Sequence, residues 1–532
     1  MYTIYLGASP LRHNLLNVQD LESPFLIPFK GRPLVDELTK IHSAAKSIYV
    51  LNKQQSKTLS YLRTKQDAES NLIVLENETD GPGASLSLAL KSMPNSQDRV
   101  CVQFGDILLE EFPMDLNLNE VIALYSDSNN AFRYTSFNLD KAHTIFQYAP
   151  KEYRNVIKNE VNIDVGVYFF PNLKLLKDST NNRKVTAMSD ILEYFENVQA
   201  VRVEKWTDFG HLDSLIANQQ LGSSRSFNST EVQPDGLSIR KKSTNKEKIQ
   251  AEAQYLNQIP ENLKFYFPRV SNIYEDSYDV ERWPYRSLAE YHVYWGLSNQ
   301  SWTLIYNSIC ELISQFMKVD ISDSELNIKK VTEYYEKNLT SRMSLIDWEI
   351  LKNLDKENFI VNDNKVPSWN IMNKRLRQYL KKSGKRYLKS FIHGDLCFSN
   401  ILVDPSLGTI KLIDPKGNFA GERSYGDLRY DFAKLRHSYS GNYDAIVAGL
   451  FQIKMNNETD FIIKCFTETT ILKRDFDNFI VTKYGEEFFN DVKVLEGYLF
   501  LTMIPLHAES KERQLAFFIT GMNILSELLT KE

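Results

Sequence analysis

The chain has 532 residues, of which 42% are hydrophobic and 25% are charged, and its formal net charge is −5. This composition is typical of a globular protein, and the length predicts two to four domains. The small net charge gives no electrostatic case for nucleic-acid binding, and no apolar run is long enough to predict membrane insertion.

The four cysteines lie far apart and include no Cys-x-x-Cys pair, so neither a zinc site nor a redox motif is expected. So few thiols suit a reducing cytoplasm. The N-terminal stretch Met1–Gly7 lacks the charged start and the long apolar run of a signal peptide. We therefore expect a cytoplasmic protein. Nothing in the sequence predicts its oligomeric state.

The first part of the chain alternates strand patterns with amphipathic helix patterns. Strands are predicted at 3–6, 47–51, 71–75 and 99–104, and helices at 34–44, 54–64 and 84–92. This alternation predicts an α/β domain with a mostly parallel sheet and helices on both faces. Ligands bind such sheets at the carboxyl ends of the strands, where the Gly7 loop and Asp106 fall.

Two aspartates follow strand patterns in this region. Asp106 completes a Gly-Asp pair, and Asp208 lies in Trp206-Thr-Asp-Phe-Gly210. This pattern resembles the sugar-1-phosphate nucleotidyltransferases, which have a Gly-Asp after a central strand and a Trp-x-Asp-x-Gly motif before a closing helix. The resemblance implies that Asp106 and Asp208 bind a metal with the phosphates of CTP or another nucleoside triphosphate. It also implies that Gly7 and Arg12 belong to the nucleotide loop.

The opening loop departs from that family. The family's loop is glycine-rich, ends in Arg and is followed by a Lys that binds phosphate. Here the loop is Gly7-Ala-Ser-Pro-Leu-Arg12, and Pro10 removes a backbone N–H that could face a phosphate. Pro24-Phe25 stands where the Lys is expected. Two interpretations therefore stay open: an active nucleotidyltransferase, or a degenerate domain that only binds a nucleotide or a nucleotide-sugar.

The second part of the chain, from about residue 219, opens with a basic strand and a helix. In the strand 237–242, Arg240 and Lys242 share one face and Lys241 points to the other. The following helix, 246–257, carries Glu252. From residue 301 onward the chain is mostly helical.

The most specific pattern lies at residues 391–417. Two short apolar runs, 401–403 and 410–413, flank Pro405-Ser-Leu-Gly408, which predicts a β-hairpin. A polar loop with His393, Asp395 and Asn400 precedes the hairpin, and Asp414 ends it. The hairpin would bring Asn400 and Asp414 together. Two oxygen ligands for Mg²⁺ and a nearby free carboxylate are what phosphoryl transfer to a hydroxyl needs.

The spacing His-Gly-Asp, four residues, Asn, and an Asp after the next strand resembles the aminoglycoside phosphotransferase and choline kinase family, whose small-molecule kinases share the protein-kinase fold. The resemblance implies that Asp395 is the catalytic base, that Asn400 and Asp414 hold Mg²⁺, and that His393 braces the loop. It implies an α+β domain at 219–532, with a small lobe at about 219–285 and a large lobe at about 286–532.

The kinase family also needs a strand lysine on the ATP phosphates, held by a glutamate on the next helix. We assign the role of the helix glutamate to Glu252. For the cation on the ATP phosphates, Lys242 is the first choice and Arg240 the second. Farther on, Asp427 or Asp431 is expected to anchor the catalytic loop or to line the substrate entrance, and anchoring is preferred.

Together the two resemblances predict an ATP-dependent kinase, acting on a hydroxyl of a sugar, amino alcohol or similar small molecule, fused to a nucleotidyltransferase-like domain. Such fusions look like suppliers of capsule or other cell-surface polysaccharide precursors. The alternative is a non-catalytic binding or scaffold protein. A protein kinase is disfavoured because Asp414-Pro-Lys replaces Asp-Phe-Gly and no Ala-Pro-Glu segment follows. The expected partners are nucleotides and a small-molecule acceptor whose identity the sequence does not reveal.

Overall fold

The computed structural model of the chain describes residues 1–11, 18, 21–42, 45–64, 71–111, 113, 116–128, 134–149, 161–211, 228–351, 354–467 and 470–530. The chain divides into two compact units, Met1–Asn14 with Asp20–Gln220 and Leu15–Gln19 with Leu221–Glu532. Among the described helices, none has the length and apolar character that crossing a membrane requires.

The first unit is built from short strands and helices in alternation. Its described strands are β1 (Tyr2–Leu6), β2 (Pro28–Phe29), β3 (Arg32–Pro33), β4 (Lys46–Asn52), β5 (Leu72–Leu75), β6 (Val100–Phe104), β7 (Ile107–Leu109), β8 (Val121–Ser128), β9 (Ser136–Leu139), β10 (Ile145–Ala149), β11 (Val161–Phe170), β12 (Val198–Arg202) and β13 (Trp206–Asp208). Its described helices are α1 (Val35–Ile41), α2 (Ser56–Leu62), α3 (Pro82–Ser92), α4 (Leu173–Thr180) and α5 (Met188–Leu192).

The main sheet of this unit is mixed. Its strand order is β10-β9-β11-β6-β1-β4-β5, and β8 lies between β11 and β12. Strands β6, β1, β4 and β5 run parallel to one another, whereas β11 is antiparallel to both β6 and β8. The prediction of a mostly parallel sheet therefore holds for β6-β1-β4-β5 and for the pair β8-β12. The described chain between β6 and β11 forms strands, and an antiparallel pair needs no crossover helix.

Alternate residues of the central strands bury both faces of this sheet. On one face, Val100, Val102, Tyr168 and Phe170 join a core with residues of α3, α4 and α5. On the other face, residues such as Cys101 pack with β7 and the segment before β13. The carboxyl ends of β1 and β6 are thereby fixed at one edge of the sheet.

The second unit begins with strands and continues mainly as helices. Its described strands are β14 (Asn228–Val232), β15 (Ser238–Ser243), β16 (Val270–Ile273), β17 (Ser277–Glu281), β18 (Arg286–Ser287), β19 (Phe359–Val361), β20 (Asn364–Val366), β21 (Lys389–Phe391), β22 (Ile401–Asp404), β23 (Thr409–Leu412), β24 (Tyr425–Asp427), β25 (Phe451–Asn457) and β26 (Asp460–Cys465). Its described helices are α6 (Lys246–Asn257), α7 (Leu288–Glu290), α8 (Asn299–Met317), α9 (Ile328–Met343), α10 (Trp369–Ser383), α11 (Leu428–Tyr439), α12 (Tyr443–Ala448), α13 (Thr470–Tyr484), α14 (Glu486–Met503) and α15 (Lys511–Leu529).

Three features of this unit position its polar residues. Strands β14-β15-β17-β16 form an antiparallel sheet, against which α6 packs. The predicted hairpin is present as β22 and β23, paired from Ile401 opposite Leu412 to Asp404 opposite Thr409. Helix α11 is buried against α14, which also packs against α15. Because α11 contacts β21 and the turn at Phe398–Asn400, it can hold the polar loop between them rigidly.

Candidate functional site

The loop between β21 and β22 is held in place by hydrogen bonds that involve its backbone. The backbone N–H groups of His393 and Gly394 donate to the two carboxylate oxygens of Asp431, at 2.7 and 2.8 Å. His393 Nε2 lies 3.0 Å from the Ile413 carbonyl, and the Asp395 N–H donates to His393 Nδ1 at 3.3 Å. These contacts define the neutral tautomer with its proton on Nε2. Burial lowers the pKa of His393 to about 4, which agrees with a neutral ring.

Asp395 is the carboxylate that this loop presents. Its side chain is 36% exposed and its Oδ1 lies 2.8 Å from Lys434 Nζ on α11. Asn400 Nδ2 donates to the Asp395 backbone carbonyl at 2.8 Å and to Asp395 Oδ2 at 3.2 Å. Burial alone would raise the pKa of Asp395, but the ammonium of Lys434 outweighs it and lowers that pKa well below the ordinary value. Asp395 is therefore ionised, oriented and partly open to solvent.

Asp414 lies beside the same loop and contacts a buried lysine. Its backbone has a φ of 57°, the left-handed region that Asp tolerates better than most residues. The preceding residue, Ile413, donates its N–H to the Asn400 carbonyl at 3.0 Å, which ties the two predicted metal ligands together. Asp414 Oδ1 lies 2.9 Å from Lys241 Nζ on β15.

Lys241 also contacts Glu252, the glutamate that the sequence predicts for this role. Its Nζ lies 2.6 Å from Glu252 Oε2 on α6, and both side chains are almost fully buried. Burial would lower the pKa of Lys241, but the charges of Asp414 and Glu252 outweigh it and raise that pKa. The result is a charged lysine fixed between two carboxylates, one on a helix and one beside the polar loop.

A glycine lets the segment after Asp414 approach α6. Gly417 has a φ of 71°, and a Cβ at this position would lie 2.7 Å from the Ala251 carbonyl carbon and 2.9 Å from the Glu252 nitrogen. Only a residue without a side chain fits this contact without a shift of the backbone. The contact brings the Asp414 segment and the Glu252 helix together.

The two cations chosen from the sequence lie elsewhere on β15. Lys242 is 60% exposed and pairs with Asp276 at 2.9 Å, and Arg240 pairs with Asp279 at 2.7 Å. Neither contacts Glu252 within the described residues. The predicted alternation of the strand is present, but the face that meets α6 is the one with Lys241.

The two candidate anchoring residues, Asp427 and Asp431, have different roles in the structure. Asp431 contacts the polar loop directly, as described above. Asp427 is fully buried, caps α11 and pairs with Arg429 at 2.6 Å, and Arg429 in turn pairs with Asp491 at 2.8 Å. Asp427 therefore supports the helix that carries Asp431 and Lys434.

The residues present fit a magnesium ion. The side-chain nitrogen of Asn400 is engaged with Asp395, so its amide oxygen is the atom left to act as a ligand. Asp414 is 49% exposed at its side chain, and one carboxylate oxygen remains besides the one near Lys241. Carboxylate and amide oxygens are the ligands that Mg²⁺ prefers.

Three lysines of this site were missed by sequence reasoning. Lys241 shares its strand face with Ile239, and this apolar neighbour was a signal for the inward face. Lys434 lies three residues after Asp431, a helical spacing that places both on one side of α11. Lys416 lies directly after Asp414-Pro, but its contacts come from residues distant in sequence.

In the first unit, Asp106 and Asp208 are brought together. β13 pairs with β7 so that Asp208 lies opposite Ile107, the residue after Asp106. A Cβ at Gly210 would collide with Asp106 Oδ2 and lie 3.2 Å from Asp208 Oδ1, so both carboxylates flank this glycine. Two converging carboxylates fit a magnesium ion.

Asp208 already accepts several hydrogen bonds. Gly210 donates its N–H to Oδ1 at 2.7 Å, Tyr134 donates its hydroxyl to Oδ2 at 2.6 Å, and His211 also contacts Oδ2. Burial would raise the pKa of Asp208, but the bonds from His211 and Tyr134 outweigh it and lower that pKa. Asp208 is therefore a fixed, ionised carboxylate.

The first backbone N–H of the Gly7 loop is engaged within the protein. The Gly7 N–H donates to the Val50 carbonyl at 3.0 Å, so it is not directed to a ligand. A Cβ at Gly7 or at Gly105 would meet the ring of Phe25 at 2.5 or 2.6 Å. Phe25 is fully buried, so an aromatic ring fills the position near which a lysine was expected. The predicted loop residue Arg12 lies outside the described residues.

Neither a protein-family model nor a curated protein matches this chain. Among solved structures, HddC from Yersinia pseudotuberculosis complexed with GMP-PN is 17% identical, covers 41% of this chain and 97% of its own, and has a TM-score of 0.33. A putative glucose-1-phosphate thymidylyltransferase from Bacillus anthracis in complex with a sucrose is 16% identical, covers 43% of this chain and 98% of its own, and has a TM-score of 0.34. Both similarities fall in the N-terminal part. Because these TM-scores are low, the functional proposals rest on the geometry of the two sites.

Proposed function

We propose that the second unit is a Mg²⁺- and ATP-dependent kinase that phosphorylates a hydroxyl of a small molecule. The observation that carries this proposal is Lys241, held 2.6 Å from Glu252 and 2.9 Å from Asp414. Asp414 is tied to the loop of Asp395 and Asn400 by the bond from Ile413 to Asn400. A fixed lysine for phosphates, two oxygen ligands and an ionised carboxylate in one unit form the set that phosphoryl transfer uses.

Each residue has a definite task in this reaction. Lys241 binds phosphate oxygens of ATP, and Glu252 keeps its ammonium group in place. Asp395 accepts a hydrogen bond from the acceptor hydroxyl and takes its proton. The hydroxyl oxygen forms a bond to the γ-phosphorus while the bond from that phosphorus to the β,γ-bridging oxygen breaks, and ADP leaves with that electron pair. Asn400 and Asp414 would hold Mg²⁺, which would supply positive charge at the ATP phosphates.

The test is ADP release from Mg²⁺ and ATP over a panel of sugars, amino alcohols and sugar acids. We expect acceptor-dependent release by the full chain and a fall of ~10² to 10⁴-fold in Asp395→Asn, because general-base and positioning effects are large. Asp475→Asn is the matched control, since Asp475 is 38% exposed and Asp395 is 36% exposed. Binding of ATP without turnover of any acceptor would favour the alternative of a binding or scaffold protein.

For the first unit, we infer nucleotidyl transfer onto the phosphorylated product, because Asp106 and Asp208 converge beside Gly210. A phosphate oxygen of the product would bond to the α-phosphorus of a nucleoside triphosphate, and pyrophosphate would leave. The two reactions would then convert an alcohol into a nucleoside-diphosphate-linked donor. Such a donor suits the supply of capsule or other cell-surface polysaccharide.

This second function is tested by pyrophosphate release from CTP and each other nucleoside triphosphate with the kinase product. We expect release by the full chain and its loss in Asp208→Asn, with Asp127→Asn as a control that breaks a surface ion pair. Binding of a nucleotide without pyrophosphate release would favour a degenerate domain that only binds its ligand. The buried ring of Phe25 beside Gly7 is the observation in favour of that alternative.

A further inference from the structure

Lys416 occupies an unusual position beside the catalytic loop. Its side-chain stem covers Gly394, where a Cβ would lie 2.7 Å from Lys416 Cβ. Its Nζ lies 3.2 Å from the Tyr430 hydroxyl, 5.1 Å from the centre of the Tyr430 ring and 5.7 Å from the centre of the Tyr334 ring. Its ammonium group is therefore held by two aromatic side chains at the edge of the Asp395 loop.

The two lysines near Asp395 differ in their ion pairing. Tyr430 and Lys434 are four residues apart on α11 and so lie on one face of this helix. Lys434 pairs with Asp395 at 2.8 Å, whereas no carboxylate of the described residues lies within ion-pair distance of Lys416. Both ammonium groups interact electrostatically with Asp395, but only Lys434 forms an ion pair with it. A half-buried cation that has no ion-pair partner is costly unless a ligand supplies the negative charge.

The ammonium group of Lys416 lies among helices other than those assigned to ATP, which suits contact with the acceptor. Tyr334 belongs to α9 and Tyr430 to α11, both in the helical part of the unit. The groups that we assign to ATP come from β15 and α6, with Asp414. Lys416 and Tyr334 are only partly buried, so a ligand beside Asp395 can reach them.

We infer that the acceptor carries a carboxylate or phosphate group besides the hydroxyl that is phosphorylated, and that Lys416 binds this group with Tyr430 and Tyr334. This inference rests on the proposed kinase function. It makes sugar acids, hydroxy acids or phosphorylated alcohols the substrate class. It disfavours amino alcohols and aminoglycosides, because a cationic acceptor would meet two like charges beside Asp395.

The first test compares acceptors that differ only in their charge. Glycerate is paired with glycerol, glucuronate with glucose, and glycerol phosphate extends the set. We expect kcat/KM at least ~10-fold higher for the anionic member, the size of one charge-assisted hydrogen bond. Lys416→Gln should remove this preference while leaving the KM for ATP within about 3-fold, and Lys337→Gln, an exposed lysine of α9, should change neither. Equal or higher activity with the neutral members would overturn the inference.

A second test separates the acceptor's anion from the γ-phosphate of ATP, which has the same chemistry. The donor site is first filled with Mg²⁺ and a non-hydrolysable ATP analogue, and glucuronate or inorganic phosphate is then added. We expect each anion to raise the Tm of the wild-type complex and to leave the Tm of the Lys416→Gln complex unchanged. Absence of a shift in the wild type, or an equal shift in both, would contradict the anion site.

If Lys416→Gln raised the KM for ATP and left the acceptor preference unchanged, Lys416 would bind the γ-phosphate of ATP, and the inference would be overturned. Failure of the analogue itself to shift the Tm would refute the kinase proposal, not the anion site. In that case the same anions, added to the nucleotide-free chain and compared between wild type and Lys416→Gln, decide whether Lys416 binds an anion.

Discussion

Lys434 Nζ lies 2.8 Å from Asp395 Oδ1, so the candidate catalytic carboxylate is held by a lysine of a buried helix. The side chain of Lys434 is 7% exposed, which fixes its ammonium group far better than a surface lysine could. This pair orients Asp395 before any substrate binds. It also keeps the carboxylate ionised, so that it can accept a hydrogen bond from the acceptor hydroxyl and then take its proton.

Lys434→Met should therefore lower kcat without weakening ATP binding. We expect a loss of ~10- to 100-fold in kcat, because a misplaced general base loses part of its contribution. The KM for ATP should stay within about 3-fold, since Lys241 binds the phosphates independently. Steady-state kinetics of Lys434→Met and of the exposed control Lys337→Met measure this. An unchanged kcat in Lys434→Met would show that the pair has no part in turnover.

The stability of the second unit should fall over the pH range in which His393 is protonated in the unfolded chain but stays neutral in the folded one. Its pKa is lowered from 6.5 to about 4, so between these values the unfolded chain binds more protons than the folded one. Stability from this group is thus complete above pH 6.5 and is lost as the pH falls toward 4, by up to ~1.4 kcal/mol per pH unit.

The measurement is the free energy of unfolding of wild type and His393→Gln between pH 7 and pH 4. Glutamine stays neutral and retains an amide that can donate to the Ile413 carbonyl. The advantage of the wild type over the variant should shrink steadily as the pH drops through this range. If the free energies of unfolding of the two chains changed in parallel with pH, protonation of His393 would not be linked to stability.

Gly417→Ala should disturb both the fold and the ATP site. An added Cβ would lie 2.7 Å from the backbone of α6, and the φ of 71° is itself unfavourable for alanine. We expect a loss of ~2–4 kcal/mol in the free energy of unfolding and a higher KM for ATP, because α6 carries Glu252. Denaturant unfolding and ATP kinetics report the two effects.

Gly421→Ala is the matched control for this change. Gly421 has a φ of 89°, but a Cβ there would meet nothing within 4 Å. Only the conformational cost of ~1–2 kcal/mol should remain, with the KM for ATP unchanged. If the two variants behaved alike, the contact between Gly417 and α6 would have no energetic role.

Local patterns predicted the parts of the second unit that depend on nearby residues. The hairpin at Ile401–Asp404 and Thr409–Leu412 and the helix Lys246–Asn257 follow from apolar spacing and from Pro and Gly between strands. The loop of Asp395 and Asn400 followed from spacing within one short stretch. The structure places these two side chains within hydrogen-bond distance.

Long-range packing decided what the sequence left open. Strand alternation separated Lys241 from Lys242, but the contact with α6 determined which of them is buried. Lys416 meets Tyr334, which is far away in the chain and on another helix, and no local pattern reports such a contact. In the first unit, the antiparallel placement of β11 depended on which strand it pairs with. Periodicity does not contain that information.

The central claim is tested most directly by the binding of a non-hydrolysable ATP analogue with Mg²⁺ to Lys241→Met and Lys242→Met, measured by calorimetry. Lys241 lies between Glu252 and Asp414, whereas Lys242 is 60% exposed and pairs with Asp276. We predict that Lys241→Met weakens binding by ~10- to 100-fold, the value of a charge-assisted hydrogen bond, and that Lys242→Met stays within about 2-fold of the wild type. Equal affinities for all three chains, or a loss confined to Lys242→Met, would contradict the kinase site described for this unit.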